Sequence, residues 1–344
     1  MYLHALATAV PPTRFTQTEC WEVFQNSPAR DRISKRSRMI LRSVLTGDRG
    51  IATRHFAMPE VAGVFERTAD ELNSAFRAEA PRLASRVLAT ALAKLGINAS
   101  DLDALIICTC TGYLCPGLTS YVSEQLGLRT DAFLQDLVGL GCGAAIPSLR
   151  AASHILAAQP HATVACIAVE ICSAAFYLDD DPGVLVSACL FGDGAAATIW
   201  RATPGEKGWR AFDFHTLHVP ADRDKIRFEQ RDGKLRNLLD ASVPALAAAA
   251  VQSLWTARGS RPVSRVVTHT GGRDVLNALA PVVAPYALDS SARILRSHGN
   301  MSSPSVLFGL EETLKETEPS TDGDFWLVSF GAGFSAHSCR FGRP

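Results

Sequence analysis

"DALIICTCTG" (103–112) is an apolar, strand-like run ending in Thr-x-Thr-Gly, and "SRVVTHTGG" (264–272) writes the same pattern a second time. Their surroundings repeat as well. A helix-period stretch, "APRLASRVLATALAKLGI" (80–97), precedes the first run, and "VPALAAAAVQSLWTARG" (243–259) precedes the second. Next come "GLGCGAAIPSLRAA" (139–152) and "SHGNMSSPSVLFGL" (297–310), each with one chemically capable residue after a glycine and ahead of a helix start. The third pair is "ATVACIAVEI" (162–171) and "FWLVSFGAGFS" (325–335), both buried strands by composition. Cys110 to His269 spans 159 residues (269 − 110) and Cys142 to Asn300 spans 158 (300 − 142), so three element pairs recur at nearly one offset. The alternation predicts an α/β protein made of two duplicated, βαβ-rich halves with mixed, mostly parallel sheets. We place the N-terminal half at 1–208 and the C-terminal half at 209–344. Sites in such sheets lie beyond the carboxyl ends of the strands. Cys142, His269 and Asn300 all fall at such ends.

Composition narrows the function classes. Lys plus Arg and Asp plus Glu both number 34, so no bulk attraction to nucleic acid or anionic membrane is implied. Nine cysteines, several inside apolar runs, read as buried thiols rather than a disulfide framework and point to a reducing, cytoplasmic compartment. Cys108, Cys110 and Cys115 are spaced C-x-C-x4-C with no nearby histidine, which is not a metal-binding pattern. The start, "MYLHALATAVPP", lacks a cationic segment ahead of its apolar residues, so no signal peptide is expected. No stretch approaches the roughly 18 uncharged apolar residues of a membrane span. A soluble protein is expected.

Cys142 stands between two glycines at the start of a helix through "AAIPSLRAASHIL", where Pro147 suits a first turn. Free cysteine often serves as a small buried hydrophobe. At a helix start, however, the dipole favours thiolate, and flanking glycines let a ligand approach the backbone. His269 interrupts an apolar strand at its end. It reads either as a hydrogen-bonded core residue or as the partner that stabilises the thiolate and later donates a hydrogen bond. Asn300 reads as a helix N-cap or as a donor to a developing oxyanion, with His298 as a rival for that role. No acidic residue completes a hydrolase triad. Cys, His and Asn together suit thioester chemistry.

With "ICTCTGYLCPG", "GLGCGAA", "LFGDGAAATIW", "THTGG", "GNMSSPSVLF" and "SFGAGF" in hand, the sequence resembles the type III polyketide synthases, relatives of chalcone synthase. The likeness runs along nearly the whole chain. It implies a thiolase-like fold in αβαβα layers, with Cys142 as acyl acceptor and His269 and Asn300 binding malonyl-CoA and promoting its decarboxylation. It also implies repeated malonyl addition to an acyl-CoA starter, cyclisation to a pyrone or phenolic ring, a homodimer, and no cofactor beyond the CoA substrates. Phe191 in "CLFGDG" matches a gatekeeper between the CoA tunnel and the cavity; its alternative is a strand residue before an Asp-Gly turn. The second gatekeeper falls near "GKLRNLLD", which has no phenylalanine. Cys172 and Ala175 match cavity positions where plant enzymes carry threonine, and Cys115 matches a residue reaching into the partner's cavity. In the "FGAGF" loop, Gly331 and Gly333 flank Ala332, which replaces the proline of plant members. The segment 30–55 has eight Lys or Arg against two Asp. It is either a solvated helix face or the CoA-phosphate entrance, and Arg54 is the candidate phosphate ligand there.

Two other functions are compatible with these residues. A single-condensation enzyme, like a ketoacyl synthase or thiolase, would use the same residues, and product mass separates it. A silent acyl-CoA-binding scaffold would not be acylated on Cys142.

Overall fold

A computed structural model of the chain describes residues 1–58, 63–316 and 323–343. Its strands are β1 (Tyr2–Ala9), β2 (Thr13–Thr16), β3 (Thr53–Phe56), β4 (Ala104–Cys108), β5 (Phe133–Leu137), β6 (Val164–Glu170) and β7 (Gly194–Arg201), followed by β8 (Arg210–His218), β9 (Ile226–Arg231), β10 (Lys234–Leu239), β11 (Val263–Thr268), β12 (Asp324–Gly331) and β13 (Ser335–Gly342). Nine of them form one mixed sheet in the order β11-β12-β13-β8-β1-β7-β6-β4-β5. Read outward from the β1/β8 join, the two sides are β1-β7-β6-β4-β5 and β8-β13-β12-β11, with β5 the one strand that has no counterpart. Apart from β5, each side lays its strands in the same spatial order, which is the duplication read from the Thr-x-Thr-Gly repeats. Within the sheet the two sides are joined through a single antiparallel pair, Tyr2 with Arg210.

Three of the sheet's ladders are parallel (β4–β5, β4–β6 and β11–β12) and five are antiparallel, a smaller parallel share than alternation alone implies. The reason lies in β7 and β13. Each follows its neighbour with no crossover helix wrapping back over the sheet, and so returns antiparallel beside β6 or β12. β4 (ALIIC) and β6 (VACIAVE) are buried along their whole length, as strands covered on both faces must be.

Helices supply the covering layers. Ala69–Ala93 packs outside the first half, its Val87, Leu88 and Ala91 clustering with Leu105, Ile107 and Ile167. Val243–Ala257 does the same for the second half, with Val251 and Leu254 against Trp326 and Val328. Between the halves lie Ala145–Ala158 and Ser305–Glu316, whose Ile146, Leu149, Val306 and Leu310 share one cluster with Ile106 on one side and Leu327 on the other. The two sides of the one sheet thus flank the central helices, giving the order helix, first side of the sheet, central helices, second side, helix. Ala145–Ala158 follows β5, whereas Ser305–Glu316 follows the helix Asp289–His298, so Asn300 lies past a helix and not at the strand end expected of it. The starts of the two central helices face the same region.

Candidate active site

Cys142 sits in a short 3-10 turn, Gly141–Gly143, that leads into Ala145–Ala158 and leaves the thiol buried. Gly141 has φ +55°, a conformation that L side chains rarely adopt. Gly331, at the end of β12, lies directly beneath the turn: a Cβ there would meet Gly143 N at 2.6 Å and Cys142 N at 2.8 Å. Gly331 thus sets the height of the cysteine turn. Gly331→Ala is expected to push Cys142 out of register and lower product formation by about 100-fold, the usual cost of a misplacement near 1 Å. Initial-rate assays beside a thermal melt check this, since a pure stability loss would leave the rate of the folded fraction unchanged.

His269, just past β11, and Asn300, just past the helix Asp289–His298, line one cavity of about 480 Å³ together with Cys142 and Phe191. Both are buried. Asn300 is held by its backbone. Its N–H donates to Leu190 O (2.9 Å), and its carbonyl accepts from Gly192 N (3.0 Å), so it is bridged to Phe191. Its Oδ1 accepts from Ser302 N at 2.8 Å, which fixes the amide and leaves Nδ2–H free to donate elsewhere. His298, the rival donor, lines neither cavity of the site; it lies against His55 and Phe308.

Electrostatics depart from expectation. A helix start and a nearby histidine predicted a lowered thiol pKa. Instead, burial pushes Cys142 up to about 12, the Glu170 carboxylate adds to the rise, and the hydrogen bond donated by Ser302 Oγ to Sγ (3.2 Å) offsets only part of it. Burial also takes His269 down to about 3, partly countered by the Ser302 backbone. The resting pair is a neutral thiol and a neutral imidazole, and His269 Nδ1 has no hydrogen-bond partner. Alkylation of Cys142 by iodoacetamide should therefore rise roughly tenfold per pH unit from 6 to 9, because only thiolate reacts and its fraction grows as pH approaches a high pKa. A plateau already reached at pH 6 to 7 would instead show a thiolate–imidazolium pair.

A second, inner cavity of about 40 Å³ opens from the same cysteine. Cys172, Ala175 and Ala332 line it, whereas Gly333 faces His218, whose Nε2 meets Gly333 O at 3.1 Å. Of the loop glycines expected to bind substrate, neither lines the outer or the inner cavity; Gly331 supports the cysteine turn and Ala332 reaches the inner space. Cys142, Phe191 and Ile226 border both cavities, so Phe191 stands between them. Cys115 is exposed and lines neither cavity of its own chain.

Arg54 requires correction. It is 2% exposed, donates Nε to Gln17 Oε1 (2.9 Å) and Nη1 to the carbonyls of Ala188 (2.7 Å) and Phe191 (2.8 Å), and caps the Phe56 ring at 5.0 Å. It braces the Phe191 segment from inside and is not placed to meet a phosphate. The cations that line the outer cavity are Arg49 and Arg273.

Sequence reasoning missed several residues. Ser302, at φ +59°, joins Cys142 to Cys110, whose Sγ lies 3.1 Å from Ser302 Oγ. Glu170 is fully buried and accepts from Thr109, Cys110, Thr111 and Ser303, tying the first Thr-x-Thr-Gly loop to the Asn loop. A lone carboxylate ending the apolar run "ATVACIAVEI" was a visible signal for it. Phe228 and Asn237, paired across the β9–β10 hairpin, line the inner cavity where the second gatekeeper was sought. Among the described residues no group of three His, Cys, Asp or Glu could hold a metal, and all nine cysteines are free.

Comparison with known proteins identifies the family. Residues 11–217 match the family model described as FAE1/type III polyketide synthase-like protein. The chain is 30% identical to 1,3,6,8-tetrahydroxynaphthalene synthase of Streptomyces peucetius subsp. caesius, over 96% of this chain and 90% of that protein. It is 29% identical to 3,5-dihydroxyphenylacetyl-CoA synthase of Streptomyces toyocaensis, over 95% and 86%. The crystal structure of 1,3,6,8-tetrahydroxynaphthalene synthase from Streptomyces coelicolor A3(2) superposes with a TM-score of 0.87 at 25% identity, covering 100% of this chain and 99% of that one. The algal PKS-I of Ectocarpus siliculosus shares the fold, with a TM-score of 0.89 at 23% identity over 100% and 98%. These matches, along nearly the whole length of a duplicated α/β frame, place the chain in the type III polyketide synthase family, to which it belongs.

Proposed function

We propose that this enzyme loads an acyl-CoA starter on Cys142 and extends it with malonyl-CoA at a site where His269 and Asn300 hold the malonyl thioester. One observation carries this reading: a buried thiol, a neutral imidazole and a free amide N–H, from segments far apart in sequence, line one cavity. As the starter thioester arrives, His269 takes the Sγ proton while sulfur attacks the carbonyl carbon, and the proton leaves with the CoA thiol. Malonyl-CoA then binds beside the acylated cysteine. Its C–carboxylate bond breaks, carbon dioxide leaves, and the electron pair passes into an enolate. Asn300 Nδ2–H and the His269 ring N–H stabilise the enolate oxygen. A histidine kept neutral by burial suits that donor role. The enolate carbon attacks the acyl carbon, and the Cys142 thiolate departs, ready for reloading.

Repetition of these steps builds the polyketide. Arg49 and Arg273 at the outer cavity are our candidates for the CoA phosphates, in place of Arg54. CoA thioesters are the only co-substrates in this scheme, and the cytoplasm, where they occur, is the proposed location. Relatives named for tetrahydroxynaphthalene, 3,5-dihydroxyphenylacetyl-CoA and phloroglucinol support a hydroxylated aromatic product. Mass spectrometry of products from a panel of acyl-CoA starters with malonyl-CoA tests the scheme. Cyclised products carrying two or more added ketide units support it; a single β-ketoacyl product would favour a one-step condensing enzyme.

A homodimer completes the proposal. β5 is the last strand of the sheet, and Phe133 (54% exposed), Leu134 (38%), Val138 (51%) and Tyr113 (73%) are large apolar side chains around it. An open edge with such a patch invites association, and the Cys115 loop adjoins it through Thr119 N, which donates to Asp136 of β5 (3.2 Å). Sedimentation should show a dimer at micromolar concentration that Phe133→Asp with Leu134→Asp converts to monomer. A wild-type monomer with full activity would contradict it.

A further inference from the structure

Behind the inner cavity lies a third space, of about 30 Å³, enclosed by residues of the N-terminal helices Gln17–Gln25 and Lys35–Thr46. Phe176 lines both spaces. Its ring is stacked on Phe65 (centroids 6.0 Å apart) and set edge-on to Phe56 (5.5 Å). The rear space is walled by Val23, Phe24, Leu41, Leu45, Phe56 and Val64. Its two polar neighbours already have partners inside the protein: Ser27 Oγ donates to Phe24 O, and Arg54 donates to Gln17, Ala188 and Phe191. Cys142, Cys172 and Phe176 belong to the same buried apolar cluster as Phe24, Leu41 and Leu45. The inner cavity carries Thr111, Ser187, Arg227, Asn237 and Ser302 among its lining, but the side that leads past Cys172 and Ala175 to Phe176 and the rear space behind it is apolar, and one aromatic ring divides the two spaces.

We propose that Phe176 is the wall that limits the length of the acyl starter, and that the space behind it is a latent extension of the acyl site, suited to a straight saturated chain. The inference rests on Cys142 being the acyl acceptor. A starter on that sulfur runs past Cys172 and Ala175 and stops against Phe176. Short chains fit in front of the ring, whereas longer ones must displace it from two aromatic neighbours. An apolar space with no unpaired polar group does not hold water well, so methylenes entering it gain nearly their full transfer free energy, about fourfold in affinity for each.

The test uses the full-length enzyme with butyryl-, hexanoyl-, octanoyl-, decanoyl- and dodecanoyl-CoA plus malonyl-CoA, reading kcat/KM for extension and, separately, release of carbon dioxide from malonyl-CoA. Wild type should favour the short starters. Phe176→Ala should raise the decanoyl-to-butyryl ratio by about tenfold or more, as two or more methylenes gain a place. Phe176→Leu should raise it less and decides the matter if the alanine variant does not fold. Adding Val23→Phe, which refills the rear space, should return the ratio of the Phe176 variant to the wild-type value. A ratio within twofold of wild type in folded, extending Phe176 variants would overturn the proposal, as would a gain that survives Val23→Phe. Failure of wild type itself to load or extend any starter would instead fall on the Cys142 reading.

Discussion

The Cys142→Ala enzyme is expected to form no polyketide, a loss of at least about 10⁴-fold, and yet to release carbon dioxide slowly from malonyl-CoA. The two half-reactions need different groups. Loading needs a nucleophile, and no other residue at the junction of the two cavities supplies one. Decarboxylation needs only a polarised thioester carbonyl, and His269 and Asn300 are held by contacts that do not involve sulfur: His269 N donates to Val328 O, and Asn300 is bridged to Phe191. Removing the thiol should leave both donors in place. Intact-protein mass would report the lost loading, and radiolabelled malonyl-CoA the retained release. Product at the wild-type level from this variant would transfer the acyl group to a different residue.

Asn300→Ala should behave in the opposite sense, with loading detectable and decarboxylation reduced by about 10²–10³, the usual value of one oxyanion donor. Asn300 could also be read as a cap, because its Oδ1 takes the Ser302 N–H. Asn300→Asp separates the two roles. It keeps an acceptor for Ser302 but has no amide to donate, so it should decarboxylate as poorly as the alanine variant while melting near the wild-type temperature. Wild-type carbon dioxide release from Asn300→Asp would reduce Asn300 to a cap. His269→Ala should impair both half-reactions, through loss of the base and of the second donor.

Much of this site was legible because a duplication leaves its mark in spacing. The recurrence of Thr-x-Thr-Gly at Cys110 and His269 identified two corresponding strands, and that of Gly-x at Cys142 and Asn300 two corresponding loops, although the loop of Asn300 follows a helix rather than the strand expected. Burial was not legible. Arg54 stands in a strongly basic segment, and charge counting turned it toward solvent. Antiparallel pairing of β2 with β3 sets it opposite Phe15, and its guanidinium turns inward to carbonyl partners that are distant in sequence. The thiol pKa was misjudged for a related reason: a helix start is visible in sequence, whereas the desolvation that outweighs it depends on how β12 and the "FGAGF" loop close over the turn. Ser302 offered no signal, since its φ of +59° comes from closure of the Asn loop against Cys142. Phe228 and Asn237 belong to a hairpin whose register only the folded chain specifies.

The most direct test is to incubate the wild-type enzyme with a short acyl-CoA, without malonyl-CoA, and to map the adduct by intact mass followed by peptide sequencing. The account predicts a single acyl group on Cys142, removed when malonyl-CoA is added. Stoichiometric acylation of Cys110 or Cys172 with Cys142 free, or extension without any acylated cysteine, would contradict it.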